Sequence, residues 1–127
     1  MAVCLDTTFL IDLLAGDHAT VRFVGSLDEP AGVAAVSFYE LLSSVRDDRR
    51  VRKVEEFARD FAVLPADFGV CAMAGAIQAR LSEEGQMIPV LDAIIAATAI
   101  RAGLPVVTSD DHFRRIPADF GLTVQEY

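Results

Sequence analysis

The sequence has little sulfur. Its two cysteines, Cys4 and Cys71, lie far apart in apolar surroundings with no paired-ligand spacing around either, which excludes a cysteine-based zinc site and a disulfide framework. Both read as small core residues of a protein kept in a reducing compartment. Positive charge is scarce as well. Asp and Glu total 19 against 11 Lys and Arg, the formal net charge is -8, the pI is near 4.5, and Lys53 is the only lysine. Such a chain repels nucleic acid unless a local patch or a bound cation intervenes. Long apolar runs are also missing: Val90 to Ile100 is broken by Asp92 and is too short to cross a bilayer. No basic leader precedes an apolar stretch, so the expectation is a cytoplasmic protein without a membrane partner. There is no internal repeat, linker or low-complexity segment. With 127 residues and 53% hydrophobic content, the chain can bury one continuous core, and a single domain over residues 1–127 is expected.

What is present is an alternation of short apolar strands and helices. Strands are expected at Ala2–Leu5, Val33–Val36, Ala62–Leu64, Leu104–Thr108 and Leu122–Gln125, each too short and too apolar to be a surface helix. Between them lie helical patterns. FLIDLLAG ends at Gly16, with Thr7 or Thr8 as cap; a second helix runs from Asp17 to about Leu27; and FYELLSSV is opened by the pair Ser37 and Glu40, which has capping-box spacing. The charged stretch RDDRRVRK follows before VEEFARDF resumes helical periodicity. Asp67 caps a long helix closed by Gly85, and another runs from Pro89 to Ala102, closed by Gly103. Parallel neighbours need crossover helices on both faces, so the expected class is α/β, a three-layer α/β/α sandwich with a mainly parallel central sheet.

In such sheets ligands collect beyond the carboxyl ends of the strands. That rule selects Asp6, Glu40 and Asp110, which follow expected strands, and Asp92 in the first turn of an apolar helix. Each acid has an ordinary explanation: Asp6 as a helix cap, Glu40 as half of a capping box, Asp92 as an anion at a positive helix end, Asp110 and Asp111 as turn residues. The joint pattern favours chemistry. Asp92 is the hardest to dismiss, because VLDAIIAATAI is apolar on nearly every side and an unpaired buried carboxylate costs several kcal/mol or more. Converging carboxylates hold either shared protons or hard cations, and an all-oxygen donor set favours Mg²⁺ or Mn²⁺.

At these residues the chain resembles a family. LDTTFLIDLL, SFYELLSSV, IPVLDAIIAATAI and VVTSDDHF match, in order and approximate spacing, the motifs of PIN-domain ribonucleases. The likeness is nearest to the VapC toxins of prokaryotic toxin-antitoxin systems. It covers essentially the whole chain and implies a single PIN-like domain. It further implies a Mg²⁺- or Mn²⁺-dependent endoribonuclease whose catalytic and metal-binding residues are Asp6, Glu40, Asp92 and Asp110. The implied partners are an RNA substrate, a cognate antitoxin protein and a second copy of the chain in a homodimer. The alternative is a catalytically silent PIN-like module that binds RNA or protein. The last motif departs from the pattern: many relatives carry a second aspartate just before the phenylalanine, where this chain has His112.

Three further expectations concern neighbouring residues. Asp110 faces the cleft while Asp111 caps the following HFRRI turn, because consecutive residues at a strand end point apart. Arg46, Arg49, Arg50, Arg52 and Lys53, interleaved with Asp47 and Asp48, read as a solvated helix face, with Arg114 and Arg115 available to phosphate. His18 has no assigned role, and His112 is a surface residue beside the acids, with assistance in proton transfer as its alternative role.

A receiver domain would need a lysine after a late strand, and a haloacid-dehalogenase-like phosphatase an acid two residues after the first. Lys53 is misplaced for the former, and Asp6-Thr7-Thr8 fails the latter.

Overall fold

Strands here are very short because acids, prolines and helix caps crowd their ends. The computed structural model describes residues 1–127. Its order is β1 (Cys4–Leu5), α1 (Thr7–Leu14), α2 (His18–Gly25), β2 (Gly32–Ala34), α3 (Ala35–Ser43), α4 (Asp48–Ala58) and β3 (Ala62–Leu64). Next come α5 (Phe68–Glu83), α6 (Val90–Ala102), β4 (Val106–Val107), two 3-10 turns at Asp111–Arg115 and Ala118–Phe120, and β5 (Val124–Gln125).

The five strands are all parallel, in the order β3-β2-β1-β4-β5. Successive strand residues alternate between two cores, as the pleat requires. Cys4, Ala34 and Val106 face one core, with α5 and α6. Leu5, Val33 and Val107 face the other, with Phe9 and Leu10 of α1, Phe38 and Leu41 of α3, and Val54 of α4. Both faces are covered, which is the predicted three-layer α/β/α sandwich. Fully burying a side chain such as Ile77 or Ile95, both at 0% exposure, contributes roughly 1.5–3 kcal/mol. Small residues on α6 (Ala93, Ala96, Ala97 and Ala99, all buried) let it run close against α5 and the sheet.

The chain leaves β1 for β2 and β3 on one side, then returns through α5 and α6 to place β4 on the other side of β1. Loops after β1 and β4 therefore diverge and open a crevice at the carboxyl edge, the position at which open α/β sheets bind ligands.

Local expectations are corrected in five places. The second strand stops at Ala34, and α3 starts at once with Ala35, so Ser37 is buried inside the helix and forms no cap. Its hydroxyl lies 3.1 Å from the Thr7 hydroxyl instead. The charged RDDRRVRK stretch is not a break: Asp47 accepts from the Arg50 N–H at 2.9 Å and starts α4 within it. The cap of α1 is Asp6, accepting from Phe9 N–H at 2.9 Å, rather than Thr7 or Thr8. The cap of the turn after β4 is Asp110, accepting from His112 N–H at 2.9 Å, rather than Asp111. Cys4 is a core residue as expected, but Cys71 is exposed, because it lies on the outer side of α5.

Candidate active site

Asp6 leaves β1 at the crevice. It is 3% exposed, and its two oxygens are held by three donors: Oδ1 takes the Phe9 N–H, while Oδ2 takes the hydroxyls of Thr8, at 2.8 Å, and Thr108. Thr108 in turn accepts the Asp110 N–H at 2.9 Å, so one threonine ties β1 to the turn carrying the last acid. Glu40, on α3, accepts the Thr7 hydroxyl on Oε1 at 2.7 Å. Asp92 sits in the first turn of α6. The Gln78 side chain fixes the approach to that helix by donating to Ile88 C=O at 2.6 Å and accepting the Ile88 N–H at 3.3 Å.

The four acids line one cleft of about 230 Å³, whose wall is completed by Thr7, Thr8, Ile11, Pro89 and His112 and contains no lysine or arginine. Burial raises the carboxyl of Asp6 above its ordinary pKa, and the charge of Asp110 adds to this, against the hydrogen bonds from Thr108, Phe9 and Thr8. Burial also raises Asp92, helped by Asp110 and Glu40 and opposed by His112. A carboxylate set that strains against itself, without lysine or arginine and rich in hard oxygen donors, fits a divalent cation. Asp92, Asp110 and His112 each turn one ligand atom toward the others, all within 4.8 Å; Asp6 and Glu40 line the cleft beside that triad.

Asp111 is exposed, whereas Asp110 is half-buried and lines the cleft. Arg114 is paired with Glu126 at 2.5 Å, and Arg115 donates to Met87 C=O at 3.1 Å, so both are engaged away from the cleft. Arg46, Arg49, Arg50, Arg52 and Lys53 are exposed. Sequence reasoning placed His112 beside the acids of its own turn but missed its contact with Asp92, 2.9 Å away, and the parts played by Ser37 and Thr108. Thr108 showed only as the end of a β-branched run, and no local pattern reveals which way a strand-end hydroxyl turns.

A family model described as PIN domain matches residues 3–119. Ribonuclease VapC5 of Mycobacterium tuberculosis (strain ATCC 25618 / H37Rv) is 32% identical over 75 residues, 58% of this chain and 56% of that protein. The chain thus aligns with a little over half the length of this curated relative. Among solved structures, VapBC2 from Rickettsia felis, bound to a promoter DNA fragment, superposes with a TM-score of 0.84 at 18% identity, covering 100% of this chain and 99% of that one. DNA-bound VapBC from Salmonella typhimurium gives 0.84 at 24% identity, with 99% and 98% covered. These likenesses establish a shared fold.

Proposed function

The chain belongs to the PIN domain family, and from that premise we propose that it is a divalent-metal-dependent endoribonuclease, the toxin of a toxin-antitoxin pair acting in the cytoplasm. The observation that carries this reading is the single cleft in which Asp6, Glu40, Asp92 and Asp110 meet with no lysine or arginine among them. An acidic protein of net charge -8 gains a place for a phosphate backbone only when cations fill that cleft.

Asp6, Asp92 and Asp110 would hold the ion, with Glu40 toward a second ion or its water. A bound Mg²⁺ or Mn²⁺ supplies Lewis-acid polarisation of the phosphodiester and lowers the pKa of the attacking water. The chain does the positioning. Thr8, Thr108 and the Phe9 N–H fix both oxygens of Asp6, so that this acid needs no reorganisation when it takes up a ligand. Thr7 occupies Oε1 of Glu40 and leaves Oε2 to accept a hydrogen bond or a proton from water. Ile11 and Pro89 give the cleft apolar edges, which keep the local dielectric low and the charge interactions strong.

Two partners belong to this reading. The VapBC complexes that share the fold pair a toxin of this kind with its antitoxin, and a cognate antitoxin is proposed here. A homodimer is proposed as well: the outer side of α5 exposes Phe68, Cys71, Ala72, Gly75, Ala76 and Ala79, an apolar surface of the kind that subunit contacts cover.

Incubating the purified chain with single-stranded RNA, Mn²⁺ or Mg²⁺, and then chelator tests the proposal. Cleavage that chelator abolishes and that Asp92→Asn loses is the expected result. RNA bound but left intact by metal-loaded protein would make it a silent binding module instead.

A further inference from the structure

His112 takes up a position that hydrogen bonding alone explains poorly. Its Nδ1 lies 2.9 Å from Asp92 Oδ2 and 3.0 Å from Asp110 Oδ1. A ring nitrogen carries at most one hydrogen in the ring plane, which can serve both oxygens only as a weaker, shared bond. With no hydrogen there, its lone pair would face two carboxylate oxygens, an arrangement that only a shared cation makes favourable. The spacing is also that of ligands to one ion. Two donors at right angles on an octahedral ion, with bonds of about 2.1 Å, lie about 3 Å apart, and both measured separations meet that value.

The surroundings support a ligand role. His112 is held at the start of the 3-10 turn by its own N–H, which donates to Asp110 Oδ1, and Phe113 beside it is 1% exposed. The ring is therefore anchored on both sides of its backbone. Its side chain is 33% exposed, against 17% for Asp92 and 28% for Asp110, which leaves the triad open to the cleft where a substrate phosphate and water would complete the coordination.

We propose that His112 is a nitrogen ligand to the divalent cation, joining Asp92 and Asp110 in one ligand set, and that it tunes the site toward Mn²⁺ over Mg²⁺. The inference rests on the metal-dependent reading above and deepens it. Imidazole suits transition metals, whereas Mg²⁺ takes oxygen donors in strict octahedral geometry. One nitrogen among the oxygens therefore shifts selectivity without closing the site to Mg²⁺.

Pulsed electron paramagnetic resonance of the chain loaded with Mn²⁺ alone reads the bond directly. A directly coordinated imidazole gives ¹⁴N modulation, and labelling the histidines with ¹⁵N changes it. The chain has two histidines, and His18 is exposed on α2, so His18→Gln should leave the signal intact. His112→Asp should abolish it while retaining metal. By calorimetry, the same substitution should lower the ratio of Mn²⁺ to Mg²⁺ affinity at least about tenfold, the scale on which metal-site groups act. Mn²⁺ bound without nitrogen modulation in the wild-type chain would overturn the proposal and leave the metal-dependent nuclease standing. No Mn²⁺ binding at all would overturn both.

Discussion

The hydroxyl of Thr108 donates to Oδ2 of Asp6 across 102 residues of sequence, inside the crevice between β1 and β4. The Thr108 hydroxyl oxygen itself accepts the Asp110 N–H, so two of the cleft's acids are positioned through one side chain. Thr108→Val keeps the shape but leaves a buried carboxylate and an N–H short of a partner. We expect a loss of about 1–3 kcal/mol in chemical denaturation, accompanied by weaker Mn²⁺ binding; Thr108→Ser should recover most of both. An unchanged denaturation midpoint in the valine variant would show that the bond contributes little.

Metal should stabilise the fold, since filling the cleft relieves the repulsion among its acids. Millimolar Mn²⁺ is expected to raise the melting temperature of the wild-type chain. Asp92→Asn should shrink that rise while leaving the metal-free protein at least as stable as wild type, because the amide carries no charge to desolvate. A full metal response in the variant would remove Asp92 from the ligand set.

The pH dependence of the metal-free chain follows from the same strain. Burial first, and neighbouring acids second, hold Asp6 and Asp92 above the ordinary aspartate value. Over the interval from that ordinary value up to the raised folded ones, the native state binds more protons than the unfolded state, so stability falls as pH rises. In chelator, these two acids should therefore make the melting temperature decline as pH rises from about 4, the ordinary aspartate value, through their raised folded values. Asp92→Asn should flatten the decline, and a wild-type profile that rises over this interval would contradict the assignment.

Asp110 carries two duties that substitutions can separate. Asparagine caps as well as aspartate does, so Asp110→Asn should fold normally yet lose at least about two orders of magnitude of metal-dependent RNA cleavage, the scale of a positioned acid-base or metal-orienting group. Asp110→Ala should lose that activity and also roughly 0.5–2 kcal/mol of stability, because its cap to His112 disappears. Asp111→Asn should stay active. Reversed activity losses for the two asparagine variants would refute the cleft geometry.

Thiol labelling distinguishes the two cysteines. Cys4 is 0% exposed and burial pushes its pKa up to about 12, so it should resist alkylation until the chain unfolds. Cys71 should react in the native protein, and more slowly as protein concentration rises if a second copy covers α5. Rapid native labelling of both thiols would exclude the buried position of β1.

The architecture was largely legible, because its signals are local and repeated. Asp67 and Gly103 mark helix ends through backbone geometry that neighbouring residues alone determine, and the alternation of apolar runs with helices implies a parallel sheet. The four acids could be singled out because each follows a strand or opens an apolar helix. What stayed hidden depends on contacts between distant segments. Ser37 and Glu40 have capping-box spacing, yet the Thr7 hydroxyl, thirty-three residues from Glu40, takes the oxygen that the box would use. Asp6 and Asp110 each serve as helix cap and cleft acid together, a double use that spacing cannot reveal. His112 sits beside Asp92 only because α6 packs against the turn after β4.

The central strand is made first and one of its two neighbours nearly last. During synthesis β1 emerges with Asp6, but β4, which supplies Thr108 and leads to Asp110, follows a hundred residues later. Until that segment leaves the ribosome, Asp6 lacks its buried hydroxyl donor and the crevice has only one wall. A nascent or prematurely terminated chain therefore lacks the completed cleft that the proposed RNA cleavage requires, so the activity proposed here would begin only after the whole chain is released.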